Sequence, residues 1–343
     1  NQGSKTFFIA DIGANHDGDF KRAEELIYLA KESGANAAKF QHFNANTIVS
    51  DKGFKSLSLN DLSHQAKWKK STFEVYKDAS INLEWTSKLY AICKKAEIIF
   101  MTSPYSLELV DHVDKYLDAY KIGSGDITWY EIINHIVSKQ KPLILATGAS
   151  SWDDIEGAVN LIRQKHGEYA ILQCNTNYTA NYENYSYINL NVLPELKKRY
   201  PEAIIGLSDH TKSCSTALGA VALGAKIIEK HFTDSNQREG PDHKFALNPK
   251  EWEEMVLRIR ELEMALGSSE KKIEKNEKET VIVQRRGLRA NKDIKQGEKI
   301  NRDDISVLRP CPRDCLPANN IDLILNKKAL KDYKKGEQFS IYD

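Results

Sequence analysis

Short apolar runs recur between residues 7 and 231, and each is long enough for one buried β-strand. Amphipathic stretches with helical spacing, such as Phe20–Ser33 and Asp153–Lys165, separate most of these runs. The strand candidates are Phe7–Gly13, Ala37–Gln41, Ile98–Ser103, Ala119–Gly123, Leu143–Thr147, Ile171–Asn175, Ile204–Ser208 and Ile227–His231. Eight strands that alternate with helices over roughly 250 residues are typical of an α/β protein with a (β/α)8 TIM barrel. A doubly wound open sheet is the competing architecture.

The pattern divides the chain into three parts. Residues 1–269 form the predicted barrel, and within them residues 44–83 are too long for a simple connection, which predicts a large loop over the barrel mouth. Residues 270–284 are rich in charge and predict an exposed linker. Residues 285–343 contain short strands and glycine turns. A domain of about 60 residues has a thin core, so we expect it to pack on a partner surface such as another protomer.

Composition narrows the functional classes. Among 343 residues, 49 Lys and Arg balance 48 Asp and Glu, so the net charge of +1 favours neither nucleic acid nor an anionic membrane as a partner. The chain contains no apolar run of the length that crosses a bilayer. Its five cysteines are too scattered for a disulfide framework. These features predict a reduced, cytoplasmic, enzyme-like protein.

Two histidines close neighbouring predicted strands. His210 follows the run that begins at Ile204, and His231 ends the run that begins at Ile227. Parallel strands place their carboxyl ends at the same face of an α/β protein, so the two imidazoles are expected to converge there. Such a pair indicates a divalent metal whose remaining ligands are substrate and water. Mn, Mg, Co, Fe and Zn all remain open, and a buried structural role for each histidine is the alternative.

Two lysines interrupt otherwise apolar strands. Lys39 lies beside Gln41, and Lys121 precedes a Gly-Ser-Gly turn that contains Ser124. A buried lysine is costly unless it meets an anion, and turn amides with a hydroxyl add anion-binding groups. The pair predicts a small, multiply charged acid as ligand, with a Schiff-base lysine as the alternative.

Further polar residues follow the strand candidates. Asp11 lies near the end of the first run, and Tyr178 and Asp242 lie in loops after later runs. Each fits contact with a substrate, and each also fits an ordinary turn or solvent-exposed loop. Hydroxyls at strand ends form a weaker pattern: Ser103 and Thr147.

Taken together, these segments resemble the sialic acid synthase family over nearly the whole chain. The matching segments are Ile9–Gly18, Lys39–Gln41, Tyr120–Gly125, Gly206–Thr211, Glu229–Thr233 and Gly240–Asp242. The resemblance implies a TIM barrel followed by an antifreeze-like SAF domain of the β-clip type. It also implies condensation of phosphoenolpyruvate with an open-chain N-acetylated hexosamine, such as N-acetylmannosamine. The products are a nine-carbon 2-keto acid and phosphate.

The resemblance also implies roles for individual residues. His210 and His231 would hold the metal, with Mn favoured over Mg or Co, and Asp11 would handle protons. Arg286 of a partner's SAF domain would reach the amide of the sugar, which implies a domain-swapped homodimer. Phosphoenolpyruvate would contact Lys39, Ser103, Lys121, Ser124, Thr147, Thr176 and Ser208. The sugar would contact Asp11, Gln41, Tyr178, Asp242 and Arg286.

The chain departs from the family pattern at three positions. Asp11 stands where Glu is usual, Ala146 where Ser is usual, and Thr176 where Asn is frequent. The sugar therefore stays open among N-acetylmannosamine and the precursors of legionaminic, pseudaminic or other nonulosonic acids. Two other functions remain alternatives: a Schiff-base aldolase that uses Lys39 or Lys121, and a non-catalytic carbohydrate- or ice-binding protein.

Overall fold

A computed structural model describes residues 5–57, 70–165, 167–179 and 181–342. Within these residues the chain divides into two compact units, Asn1–Gly267 and Ser268–Asp343. Residues 58–69, which belong to the predicted long loop, lie outside the described residues.

The first unit contains eight strands, and each predicted strand is found with its ends within two residues of the expected positions. The strands are β1 Phe7–Gly13, β2 Ala37–His42, β3 Ile99–Pro104, β4 Tyr120–Ile122, β5 Leu143–Ala146, β6 Tyr169–Cys174, β7 Ile204–Asp209 and β8 Ile227–His231. Four of the eight are buried at every residue and the other four at all but one, which explains why they read as continuous apolar runs rather than alternating ones.

The strand order identifies a barrel. The hydrogen-bonded order runs β3-β2-β1-β8-β7-β6-β5-β4, and every hydrogen-bonded pair in it is parallel. The two ends of this order, β3 and β4, lie beside each other, so the sheet curves into a near-barrel. A doubly wound sheet would instead reverse its order at the first strand. The predicted TIM-barrel class is therefore confirmed, and the open-sheet alternative is wrong.

Helices surround the strands and also cover the mouth. Several begin with residues that suit helix N-termini: Ser151 and Asp154 form a capping box at α8, and Asn248 with Glu251 does so at α11. The helices are α1 Phe20–Glu32, α2 Ala45–Ile48, α3 Asp51–Ser56, α4 Thr72–Ala79, α5 Trp85–Lys95, α6 Leu107–Val113, α7 Tyr130–Val137, α8 Trp152–Gln164, α9 Val192–Arg199, α10 Ser215–Ala222, α11 Pro249–Leu266 and α12 Lys278–Gln284.

Alternation along each strand separates two apolar layers. On β1, Phe8 and Ala10 face the helices and belong to the large core between strands and helices. Ile9 faces the barrel axis, where it packs in a smaller cluster with Met101 and Leu172. The same alternation turns Lys230 outward, where its Nζ lies 2.6 Å from Asp209 Oδ2 in a buried ion pair. Inward positions nearer the strand ends are polar, and they form the site described below.

The second unit has a separate small core. Its antiparallel pair consists of β9 Gly287–Ala290 and β10 Ile305–Leu308. Leu288, Ile294 and Phe339 are buried in this core. The charged segment before it is exposed from Ser268 to Thr280, and its last residues form α12.

Within the described residues, none of the helices combines the length and the apolar character needed to span a membrane.

Gly206 offers a test of the packed barrel interior. A Cβ at this position would lie 2.5 Å from both the Ile227 carbonyl oxygen and Leu172 Cδ2, so Gly206→Ala forces backbone to move. We expect the free energy of unfolding to fall by about 1–3 kcal/mol. All five tryptophans lie before residue 253, so urea unfolding followed by tryptophan fluorescence reports on the barrel.

Gly125→Ala is the matched control, because a Cβ there meets nothing within 4 Å. An unchanged urea midpoint for Gly206→Ala would contradict the tight packing of β6, β7 and β8 against one another.

Candidate active site

The carboxyl ends of the strands surround one cavity of about 380 Å³, a volume within the usual range of small-molecule sites. Most of the predicted site residues line it. They are Asp11, Lys39, Gln41, Ser103, Lys121, Ser124, Tyr178, Ser208, His210, His231 and Asp242.

Strand register explains why these residues meet. Asp11 on β1 lies opposite Lys39 on β2 and opposite His231 on β8. Ser208 on β7 lies opposite Glu229, two residues before His231. Since partners in register point to the same side of a parallel sheet, one row of inward positions collects acidic, basic and imidazole groups.

Four buried charges form the centre of the site. Lys39 Nζ lies 2.6 Å from Asp11 Oδ2 and 3.9 Å from Glu229 Oε2. Lys121 Nζ lies 3.1 Å from Glu229 Oε1, and the Ser208 hydroxyl donates to the same oxygen at 2.9 Å. None of the four charged side chains is more than 4% exposed. Each ammonium group therefore has a carboxylate partner, which offsets the cost of its burial.

The shifts in pKa follow from this pairing. Burial alone would raise the pKa of Glu229, but Lys121 and Lys39 lower it to about 2. Burial alone would lower the pKa of Lys39, but Asp11 and Glu229 raise it above the usual value. Burial raises the pKa of Asp11, and Lys39 opposes that shift. At neutral pH the site thus contains an ionised Glu229 and a protonated Lys39.

The two histidines converge as predicted. Their ring centroids are 5.5 Å apart, and His210 Nδ1 lies 2.8 Å from the Asn175 carbonyl oxygen, to which it donates. This hydrogen bond leaves the lone pair of His210 on Nε2. Burial lowers the pKa of His210 to about 4 and also lowers the pKa of His231. Both imidazoles are therefore neutral at pH 7, which is the form that binds metal ions.

The donors near His231 are suited to a divalent ion. His231 Nε2 lies 3.6 Å from Asp11 Oδ2, and His231 Nδ1 lies 3.7 Å from Asp242 Oδ2. The described residues contain no group of three or more His, Cys, Asp or Glu side chains already arranged around a single metal position. The protein thus offers two imidazoles with carboxylates nearby, and the remaining positions fall to substrate and water.

Several buried polar atoms in the cavity lack a hydrogen-bond partner. They are Asp11 Oδ1, Ser103 Oγ, Glu229 Oε2 and His231 Nδ1. Buried polar atoms are nearly always paired, so a cluster of unpaired ones indicates a polar ligand site. These atoms lie beside the lysines and the histidines, which is the arrangement that a bound anion with hydroxyl or carbonyl groups satisfies.

Two predicted residues are not brought into the cavity. The Thr147 hydroxyl donates to the Leu172 carbonyl oxygen at 3.0 Å, so its hydrogen is already bound to the backbone of β6. Thr176 does not line the cavity either; its methyl group lies close to Gly148. Sequence position at a strand end does not fix which way a side chain turns, and both threonines illustrate this.

Arg286 lies in the second unit, just before β9. Its Nη1 donates to the Val307 carbonyl oxygen at 2.9 Å, and its side chain is exposed.

The structure adds residues that the sequence analysis missed. Glu229 is the most important, and strand alternation could have identified it because it faces the same side as Ile227 and His231. Asp126 also lines the cavity, and burial raises the pKa of its carboxyl to about 6 although Lys121 opposes this shift.

A side of the cavity is apolar. It is formed by Phe43, Ile48, Val75, Tyr76 and Ala79, and we refer to these five residues as the apolar wall. All but Phe43 belong to residues 44–83, the predicted long loop, and Phe43 lies directly before it.

These features define a class of protein: a TIM barrel with an anion-binding site and a metal-type histidine pair at its catalytic face. Comparison with known proteins gives the family. Residues 26–271 match the NeuB family and residues 285–341 match the SAF domain. The chain belongs to the NeuB family, and the resemblance noted from its motifs is confirmed.

Individual relatives agree with this membership. The chain is 35% identical over 338 residues to the N,N'-diacetyllegionaminic acid synthase of Campylobacter jejuni, which covers 97% of this chain and 98% of that protein. It is 31% identical over 343 residues to a pseudaminic acid synthase of the same species, with 98% and 96% covered. A crystal structure of an N-acetylneuraminic acid (sialic acid) synthetase from Leptospira borgpetersenii, in complex with citrate, matches with a TM-score of 0.70 and 28% identity. It covers 81% of this chain and 90% of that chain.

The protein is therefore an enzyme of the nonulosonic acid synthase type, in a family of phosphoenolpyruvate-dependent condensing enzymes.

The charge cluster predicts an effect of Glu229→Gln that does not depend on turnover. The variant removes the carboxylate that Lys39 and Lys121 share, and leaves Asp11 as the ion-pair partner of Lys39. We therefore expect the free energy of unfolding to fall by about 3–5 kcal/mol. A bound anion restores the missing negative charge. Inorganic phosphate should therefore raise the melting temperature of Glu229→Gln more than that of the wild type.

Glu195→Gln is the control, because Glu195 pairs with Arg199 on the surface. Equal phosphate-induced shifts in all three proteins would show that Glu229 does not balance the two lysines.

Proposed function

We propose that the enzyme condenses phosphoenolpyruvate with the open-chain form of an N-acetylated hexosamine, and that it releases phosphate by C–O cleavage. The observation that carries the proposal is the convergence of Lys39, Lys121 and the pair His210 and His231 on one cavity. Cationic groups suit the acid, and neutral imidazoles suit a divalent ion beside a sugar carbonyl.

In this proposal phosphoenolpyruvate lies against the two lysines. Lys39 and Lys121 balance its carboxylate and phosphate charges, and Ser103 offers a buried hydroxyl without a protein partner. Ser124 Oγ accepts a hydrogen bond from the Gly148 amide at 2.9 Å, which holds its hydroxyl in the cavity lining. Ser208 lies beside Glu229 at the same level of the barrel. Thr147 and Thr176 are left out, because neither reaches the cavity.

The family is metal-dependent, and His210 with His231 would hold the ion in this chain. Mn is the metal that we propose, with Mg or Co as the alternatives. When bound, the ion supplies Lewis-acid polarisation of the sugar aldehyde. The protein keeps both imidazoles neutral by burial and fixes the tautomer of His210 through the Asn175 carbonyl.

The sugar is assigned to the other polar residues of the mouth. Gln41 Nε2 lies 3.4 Å from Asp11 Oδ2, and the Tyr178 ring lies 4.5 Å from that of His210. Asp242 lies beside His231. These groups offer donors and acceptors around the position of the aldehyde and its hydroxyl neighbours.

The proposed condensation forms one C–C bond and breaks the C–O bond to phosphate. C3 of phosphoenolpyruvate attacks the aldehyde carbon, and a water molecule adds to C2. The C–O bond to phosphate then breaks, which leaves the 2-keto acid and inorganic phosphate. Asp11 is assigned to accept the proton that the water loses and to pass it to the oxygen of the former aldehyde, since its carboxyl is buried beside Lys39 with one oxygen unpaired. The second proton of the water leaves with the phosphate as C2 becomes a carbonyl.

The contacts of the lysines argue against the Schiff-base alternative. Such chemistry needs a neutral amine, whereas Asp11 and Glu229 raise the pKa of Lys39. Lys121 is ion-paired with Glu229 at 3.1 Å. We therefore expect borohydride to leave the mass of the protein unchanged in the presence of pyruvate or phosphoenolpyruvate.

Phosphate release tests the function directly. With Mn and phosphoenolpyruvate, we expect a 2-acetamido hexose of the manno series to release phosphate, EDTA to abolish the reaction, and added Mn to restore it. His231→Ala should lose activity by at least about 100-fold, because it removes one of two imidazole ligands. If no sugar in a broad 2-acetamido panel releases phosphate, the proposed function fails.

We further propose a domain-swapped homodimer in which Arg286 contacts the amide of the sugar bound by the partner. We expect a mixture of the Arg286→Ala and His231→Ala proteins to recover about a quarter of wild-type activity after subunit exchange. Half of the dimers are then mixed, and each mixed dimer has one intact site of its two. No recovery under conditions of proven exchange would place Arg286 outside the site of the partner.

The five free cysteines accord with a reducing compartment, and we propose the cytoplasm.

A further inference from the structure

Cys311 and Cys315 are the only two of the five cysteines that lie close together in the sequence, and the proposed reaction uses neither. Both belong to the second unit, and both are free thiols in the structure. Two thiols of one domain can form a disulfide when the backbone brings their sulfurs together. The position of the two sulfurs therefore decides what this pair can do.

The two sulfurs lie against the same point of the backbone. A Cβ added to Gly287 would lie 2.2 Å from Cys315 Sγ and 3.3 Å from Cys311 Sγ. Cys311 Sγ also lies 3.7 Å from the carbonyl oxygen of Cys315. Because Gly287 has no side chain, both sulfurs have room at the start of β9.

A turn between the cysteines accounts for this closeness. The Cys315 amide donates to the Pro312 carbonyl oxygen at 3.1 Å, which closes a tight turn over residues 312–315. Arg313 and Asp314, within the turn, are exposed. The turn returns the chain toward Cys311, so the two thiols meet without help from any other part of the unit.

The loop that contains both cysteines is bound to the backbone on either side of Arg286. The Cys311 amide donates to the Ile282 carbonyl oxygen at 2.9 Å. Arg289 Nη2 donates to the Pro310 carbonyl oxygen at 2.9 Å. A change in the loop therefore acts directly on the segment that carries Arg286.

The two thiols differ in accessibility. Cys311 is half-buried, whereas Cys315 is only 1% exposed. Burial raises the pKa of the Cys315 thiol to about 11. Since a thiolate is the reactive form, Cys311 is the thiol that a small oxidant meets first, and Cys315 stays protonated until the sulfur beside it has reacted.

We propose that Cys311 and Cys315 form a redox-sensitive pair, which a peroxide converts into a disulfide and a thiol reductant reopens. The disulfide fixes residues 309–315 against the start of β9. Such a bond suits a compartment that keeps thiols reduced, where disulfides are transient and respond to oxidants. The inference does not depend on the substrates of the enzyme, because every residue in it belongs to the second unit.

Hydrogen peroxide supplies the oxidising equivalents. The Cys311 sulfur attacks one peroxide oxygen, so that an S–O bond forms, the O–O bond breaks and the first water leaves. The Cys315 sulfur then attacks the Cys311 sulfur. An S–S bond forms, the S–O bond breaks, and the departing hydroxide takes the Cys315 proton as the second water. Two thiols lose two electrons in total, and one peroxide is reduced to two waters.

Peptide mapping of the full chain tests the pair directly. Trypsin cleaves after Arg313, between the two cysteines, so oxidation should join peptide 303–313 to peptide 314–327. After graded hydrogen peroxide and alkylation of the remaining thiols, we expect this linked species to dominate and dithiothreitol to abolish it. The intact mass should fall by two hydrogens. Cys214, which is also half-buried but lies in the first unit, should remain a thiol at the same peroxide concentration.

Variants test the geometry. Cys311→Ser should abolish the linked species, and Cys214→Ser is the matched control that should retain it. Gly287→Ala keeps all five thiols but places a methyl group against both sulfurs, so we expect it to lower the yield of linked peptide severalfold.

Hydrogen exchange tests the effect on the loop. In the oxidised wild type, we expect the amides of residues 311–316 to exchange severalfold more slowly than in the reduced protein. Exchange in α8 of the first unit, which serves as the internal reference, should be unchanged.

Three results would overturn the inference. They are a stable sulfenic or more oxidised acid at Cys311 without the linked peptide, a disulfide between two chains instead of within one, and oxidation of Cys214 at the same peroxide concentration as the pair. Equal exchange of residues 311–316 in the two states would show that the disulfide does not fix the loop.

Discussion

The site depends on the mutual neutralisation of four charges buried in the barrel mouth. Lys39 lies between Asp11 and Glu229, and Lys121 pairs with Glu229. Burial of any one of these groups alone would be costly. The pairing offsets the cost of burying both lysines, and a low dielectric inside the protein strengthens their attraction for an anion. The same pairing holds the side chains in place before substrate binds, so little reorganisation is needed during the reaction.

Burial has the opposite consequence for the histidine pair, which stays uncharged. Desolvation lowers the pKa of both imidazoles, which keeps them neutral and able to act as metal ligands. Lys39 lies near His231 and also disfavours its charged form. The barrel mouth therefore contains lysines that are paired with carboxylates and imidazoles that are not protonated. The lysines match an acidic substrate group, and the imidazoles match a carbonyl group.

The apolar wall belongs to a different part of the chain from the charged residues of the site. The groups assigned to the reaction lie on the strands or directly after them, where the barrel holds them rigidly. The wall comes from the segment between β2 and α5.

The sequence by itself determined the barrel, because fully buried parallel strands must be apolar and their runs are visible without any structure. It also determined that Lys39, Lys121, His210 and His231 meet, since residues at the ends of parallel strands share one face. Only the tertiary structure decided which side chains point inward. Thr147 turns to the Leu172 carbonyl, an outcome that depends on strand register. The alternation along β8 puts Glu229 on the inward side, but its pairing with the lysines required the closed barrel. The wall likewise required the structure, because α2 and α4 reach the mouth by long-range packing that local pattern does not encode.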